Sequence, residues 1–522
     1  TGTRNTAVGT FALDANTTSS NNTAVGYDAL GANTDGDSNV AVGEQALDAN
    51  TTGDNNTAIG RDACGQQTTA SNNTAVGTNA LYTSTGSNNT SMGASSMFAN
   101  TTGEQNVAVG GNSLDANTTG SNNIAIGYDA LGANTTANAN TAVGRRALRL
   151  NTTGAYNIAI GYQALEANTT ADYNTAIGYN ALLSNTTGER NAVIGAFAGD
   201  GITTANWNVL IGYEAGTNMT TGNYNVAVGY QALEMCTTDT DNVAVGLRAL
   251  EKNVQSNNTA VGNYALQENT TGIYNTAVGR SAAASITTGD YNCAFGGLAL
   301  DAVTTADNNN AFGYIALGKC TTGTRNCAFG KSAGQEVTTA SSNTLIGHDA
   351  AGNLSTGSSN TVVGRSSGVG LTDGTQNVIM GAECQGSGNP SNQTMIGYLA
   401  GSGASGSHNT GVGMMALYGL STGTDNVAMG KQALQDVTTG TNNMGFGLDA
   451  GRSGSPSGSI STDSNRICIG NNSHADAYIK VSFTVTSDAR DKTDVTDFNH
   501  GLSWINKLRP VTYRWDMRSN YE

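Results

Sequence analysis

NTAVG at 5–9, NTAVG at 22–26, NVAVG at 39–43 and NTAIG at 56–60 are one motif repeated every 17 residues. Its Gly recurs from Gly9, Gly26, Gly43 and Gly60 to Gly447 and once more at Gly470. Of the 27 intervals, 22 are 17 residues, four are 16 and one is 23, so the phase survives almost the whole chain. Asn stands four residues before that Gly in 26 of the 28 units, Gln393 and Arg466 being the exceptions. A unit reads roughly N-T-A-V-G-Y-x-A-L-x-A-N-T-T-G-x-N, with a short β-branched run and an Asn/Thr/Gly turn. Seventeen residues are too few for a strand, a crossover helix and a return. They suit one coil of a parallel β-solenoid, predicted as two short strands and two tight corners, each coil stacking on the next at ~4.8 Å.

Stacking turns every fixed phase into a column. Asn22, Asn39 and Asn56 are expected to form an amide ladder beside the Gly26, Gly43 and Gly60 corners. Val8, Val25, Val42, Ile59 and Val76 make an aliphatic stripe, and Leu13, Leu30, Leu47, Leu81 and Leu114 a second one. Ala7, Ala24, Ala41 and Ala58, of opposite parity, ask for a closely approaching neighbour, which points to lateral association of identical chains, taken as a homotrimer. The shaft is assigned to 1–447, a Gly/Ser loop, last coil and transition strand to 448–486, and a compositionally distinct segment to 487–522.

The composition narrows function. Gly numbers 69 and Pro 3, and only 12% of residues are charged, which excludes ordinary thick-cored domains, collagen and disorder alike. A net charge of −16 without any basic run excludes nucleic acid as a partner. No apolar stretch reaches the ~20 residues of a membrane-spanning helix, so no membrane insertion is expected. Seven scattered cysteines and four histidines lack ligand spacing, so neither a metal nor a cofactor is called for. The pattern is already running at Thr1, which suggests a piece of a longer protein.

The N-x-A-[VI]-G units resemble the head repeats of trimeric autotransporter adhesins, left-handed β-rolls packed three abreast, and the shaft repeats of phage and algal-virus tail fibres. The adhesin heads have a shorter unit without the regular NTTG corner, so that likeness is one of coil style. Near the end, SDARDK (487–492) and DVTDFNHGLSWINKLRPVTYRW (494–515) resemble the endosialidase-type intramolecular chaperone domain of phage tail spikes and fibres. The resemblance implies trimerisation, templating of the stem, and self-proteolysis between Thr486 and Ser487, with Ser487, Asp488 and Lys492 as the matching motif residues. A Ser hydroxyl becomes nucleophilic beside a base, and a Lys can serve. Only 35 residues follow Ser487, fewer than the family usually carries, which puts cleavage competence in question.

Other columns offer alternatives. Asp14, Asp48 and Asp115 share one phase and Asp28, Asp62 and Asp129 another, expected as a solvated acidic face. Paired Thr such as Thr51–Thr52 suggest an ice-binding face, but adjacent residues in a strand point to opposite sides, so a turn is the simpler reading. Tyr156, Tyr173, Arg190, Trp207 and Tyr224 share the phase just before the repeat Asn, and Tyr274 and Tyr291 resume it. They are expected as an exposed stack that steadies the rod and offers a host glycan a platform. The sequence therefore describes a trimeric viral tail-fibre shaft on the virion, with host surface glycans or proteins and other tail proteins as partners and no shaft enzyme. A bacterial surface adhesin is the alternative, and a polysaccharide depolymerase lacks the long interruption a cleft would need.

Overall fold

A computed structural model describes residues 2–475. The chain divides into two units, Thr1–Asn472 and Ser473–Glu522. The first is a parallel β-solenoid: 28 three-residue strands, from β1 (Thr6–Val8) to β28 (Ile467–Ile469), join in one sheet. Every neighbouring pair is parallel and in register, Thr23 beside Val40 and Ala24 beside Ala41, for example, so each phase of the repeat is a straight column. At ~4.8 Å per step, 27 steps extend about 130 Å. No helix occurs among the described residues.

Each coil holds one strand where the sequence predicts two. The Y-x-A-L half stays out of extended conformation because two of its residues take left-handed dihedrals: Gln163 has φ 54° and Leu165 φ 54°. Such dihedrals cost a side chain of the order of 1–2 kcal/mol each. Backbone bonds between coils oppose that cost all round the loop: Leu165 N–H donates to Ala181 O at 3.0 Å and Gln163 N–H to Arg145 O at 3.0 Å. The coil is thus hydrogen-bonded through its corners as well as through its strand.

The interior corrects the expected face of the Ala column. Ala24, Ala41 and Ala58 are fully buried, and what approaches them is their own coil's opposite wall, including Ala29, Leu30, Ala46 and Leu47. A coil this thin has room inside for Leu from one wall only when the other supplies Ala. Val25 and Val42, in turn, point outward and are half-buried. The 23-residue interval is absorbed as a turn-rich excursion, after which Ile467–Ile469 pairs with Met444–Phe446 in parallel register.

Candidate functional site

Two amide ladders run inside the coil. Asn22, Asn39 and Asn56 are fully buried. Asn39 N–H donates to Asn22 Oδ1 at 2.8 Å and Asn56 N–H to Asn39 Oδ1 at 2.9 Å, so each side chain caps the next strand's start. The second ladder, which sequence reasoning did not single out, is the Asn of NTTG: Asn117 Nδ2 reaches Asn100 Oδ1 at 2.7 Å and Asn134 Nδ2 reaches Asn117 Oδ1 at 2.8 Å. Both ladders converge on one carbonyl per coil, Gly53 O accepting from Asn39 at 2.8 Å and Asn50 at 3.1 Å. Strict recurrence of Asn at this phase through 100–185 was the available signal. The corner glycines are equally constrained. Gly26 has φ 141°, and a Cβ there would lie 2.3 Å from Gly43 O.

The Thr pairs sit in bends, and in many of them the first hydroxyl bonds along the stack to the next coil: Thr101 Oγ1 donates to Thr118 O at 2.8 Å. The acidic columns depart from the expected solvated face. Asp48 is half-buried, and burial, followed by the neighbouring Asp28 charge, raises its carboxyl pKa to about 6. Burial likewise raises Asp115, while Asp129 pairs with Arg149 at 2.8 Å. Five of the seven thiols, Cys64, Cys236, Cys320, Cys384 and Cys468, are buried, whereas Cys293 and Cys327 sit half-buried on the outward side of their strands.

The aromatic column is a true stack. Tyr156 and Tyr173 lie 5.1 Å apart at 3°, Trp207 and Tyr224 5.2 Å apart at 7°, and the Arg190 guanidinium bridges the gap, 5.4 Å from Tyr173 and 5.6 Å from Trp207. Tyr274 and Tyr291 repeat the arrangement at 5.3 Å. The rings are about half exposed, Tyr156 at 55% and Trp207 at 46%, but their faces lie against one another, so edges and hydroxyls are what they present. A sugar ring packing on an aromatic face needs that face open, a condition met here only at the ends of each run.

The outward strand columns are the largest unexplained surface. The third position of the strand is Val, Ile, Met or Phe in all 28 coils, and not one of these residues is buried. The first position is also apolar or Thr except at Asn310. Phe295, Phe312 and Phe329 stack there at 4.9 and 4.4 Å.

Ser487, Asp488 and Lys492, the transition strand before them, and the short helix (Leu502, Ile505 and Leu508 on one face) and VTYRW strand that the sequence suggests after them, all lie outside the described residues. The class defined so far is a parallel β-solenoid with two internal Asn ladders. Its C-terminal segment, residues 487–521, matches the family described as chaperone of endosialidase, a self-cleaving intramolecular chaperone. That match begins at Ser487 and covers a small part of the chain. No curated protein and no solved structure matches the chain.

Proposed function

We propose that this chain is the shaft of a trimeric tail-type fibre for attachment to a host surface, folded under a C-terminal chaperone that is removed by a cut between Thr486 and Ser487. The observation that carries the reading is the outward strand column, apolar in 28 of 28 coils and never buried within the chain. A solvated column would admit polar residues at such a frequency of sampling, because solvent exposure gives no advantage to Val or Ile. Strand positions one and three are ~7 Å apart, so the strip amounts to about 900 Å² per chain over its length. That is of the order of the ~800 Å² each partner buries in a stable complex.

The family of the C-terminal segment supports the same reading, since an intramolecular chaperone is needed where long in-register parallel pairing must start correctly. Light scattering on the expressed chain should give a mass near three times 53.0 kDa. In the same preparation the wild type should yield two fragments, and Ser487→Ala one. A particle of one chain, whatever its processing, refutes the fibre reading.

A further inference from the structure

Between residues 156 and 230 the apolar strip widens. Counting outward-facing positions, column one precedes the repeat Asn, columns two and three are the first and third strand residues, and column four follows the corner Gly. In five consecutive coils these read Tyr156, Ile158, Ile160, Tyr162; then Tyr173, Thr175, Ile177, Tyr179; Arg190, Ala192, Ile194, Ala196; Trp207, Val209, Ile211, Tyr213; and Tyr224, Val226, Val228, Tyr230. Ile158, Tyr179, Ile194, Val209, Ile211, Tyr213 and Tyr230 are 36–48% exposed. Column four stacks as column one does, Tyr162 on Tyr179 at 5.2 Å and Tyr213 on Tyr230 at 5.5 Å. Where Ala196 interrupts it, Phe197 closes the gap edge-on, 5.2 Å from Tyr179 and 6.0 Å from Tyr213.

The patch is about 24 Å along the stack and at most about 20 Å across, or some 450 Å², in the range of the largest exposed patch a monomer carries. Two features indicate what covers it. It is continuous with the strand strip, and within 156–230 its two aromatic edges rise and end on the same coils: the four coils with a ring in column one have Tyr in column four, and the coil with Arg190 has Ala196, whereas the later column-one pair Tyr274 and Tyr291 stands in coils with Arg280 and Gly297 in column four and lies outside the belt. Nothing within one chain requires this, because six residues and the whole strand separate the two columns. A ring of identical chains gives it a reason, since a cyclic interface is heterologous and one edge of each copy meets the opposite edge of the next.

We propose that this aromatic belt is the clamp between neighbouring copies of the chain, column one of each packing against column four of the next, level by level. The inference rests on the reading of the shaft as a trimer. Buried Tyr, Trp and Arg clusters dominate interface energies, so five such levels would hold the chains far more firmly than the Val/Thr levels elsewhere. The belt then fixes axial register as well, because a slip of one coil sets Arg190 against a Tyr of the next copy and Trp207 against Ala196.

Hydroxyl-radical footprinting of the assembled chain reads each ring separately. Tyr173, Trp207, Tyr179 and Tyr213 should be modified several-fold more slowly than Tyr418, which lies on another side of its coil. Tyr173→Ser with Trp207→Ser, and Tyr179→Ser with Tyr213→Ser, should each lower the temperature at which the particle loses its three-chain mass. The fourfold variant should fall short of the summed shift, since either pair already removes the other's partners. Rings modified as fast as Tyr418 in a particle of three chains would overturn the clamp and leave the trimer standing. Additive shifts in such a particle would also overturn it, assigning the rings to each chain's own stack. Loss of host-cell binding with an unchanged dissociation temperature would assign the belt to a glycan. A particle of one chain would instead overturn the trimer on which the inference rests.

Discussion

Replacing Asn208 by Ala tests the first amide ladder where it has no reserve. Asn208 is fully buried; its Oδ1 accepts Asn225 N–H at 2.9 Å and its Nδ2 donates to Gly222 O at 2.9 Å. In a coil such as that of Asn50 the NTTG Asn also donates to that carbonyl, but here the position is Met219, which donates nothing to it. Truncation therefore orphans two buried backbone groups, at about 1–3 kcal/mol each, or about 2–6 kcal/mol together. Asn157 provides the control. Its Oδ1 accepts Asn174 N–H at 2.9 Å, but Ala171 O, its other partner at 2.8 Å, also receives Asn168 Nδ2 at 3.1 Å. Asn157→Ala should orphan one group, for about 1–3 kcal/mol. Hydrogen exchange read on peptides around 205–228 and 154–177 gives the local opening free energy of each stretch. The account expects the loss at Asn208 to be about twice that at Asn157. Equal losses, or none, would show that the ladder follows from the fold without stabilising it.

Two further substitutions probe the corners and the acidic column. Gly178 has φ 142°, and an added Cβ would meet Gly195 O at 2.4 Å, whereas one at Gly111 meets nothing nearer than 3.7 Å. Gly178→Ala should lower the melting temperature, by at least the 1–3 kcal/mol or so of the strained backbone, while Gly111→Ala should raise it slightly through the unfolded chain. Asp48 has a folded-state pKa raised from 3.8 to about 6, so its protonated form is favoured in the coil. Its contribution is fully present below about pH 4 and is lost as pH rises through about 6, and Asp48→Asn should flatten that fall in melting temperature between pH 4 and 7. A wild-type curve that rises across this window in step with the variant's would contradict the assignment.

The period, the parallel stack and the existence of columns were legible because the corner Gly recurs in all 28 units and Asn four residues before it in 26, whatever changes elsewhere in the coil. Which side of the strand faces inward was not legible. Burial usually favours Val and Ile over Ala, and only the thinness of a 17-residue coil reverses the choice, placing Ala24 inside and Val25 outside. The missing second strand has a similar cause. Leu165 and its equivalents hold left-handed dihedrals that Leu seldom adopts alone, and inter-coil bonds such as Leu165 N–H to Ala181 O secure them, an effect with no local sequence signal. The aromatic column was visible as a shared phase. Its face-to-face packing was not, since it follows from the ~4.8 Å rise that only the stack imposes. The half-buried Asp48 escaped for the same reason, its neighbours Asp28 and Asp62 lying in adjacent coils.

The central claim, that the outward strand face is a seam between three copies, is tested most directly by the protein's own thiols. Cys293 and Cys327 stand half-buried at the first position of strands two coils apart, on that face. In a threefold assembly each forms a ring of three thiols around the axis, and a short bifunctional maleimide joins two of the three at each level. Two levels suffice to link all chains. Treatment of the folded protein, followed by denaturing electrophoresis, should yield covalent species of two and three shaft chains and none larger. Single chains whose Cys293 and Cys327 have both taken up reagent would contradict the account.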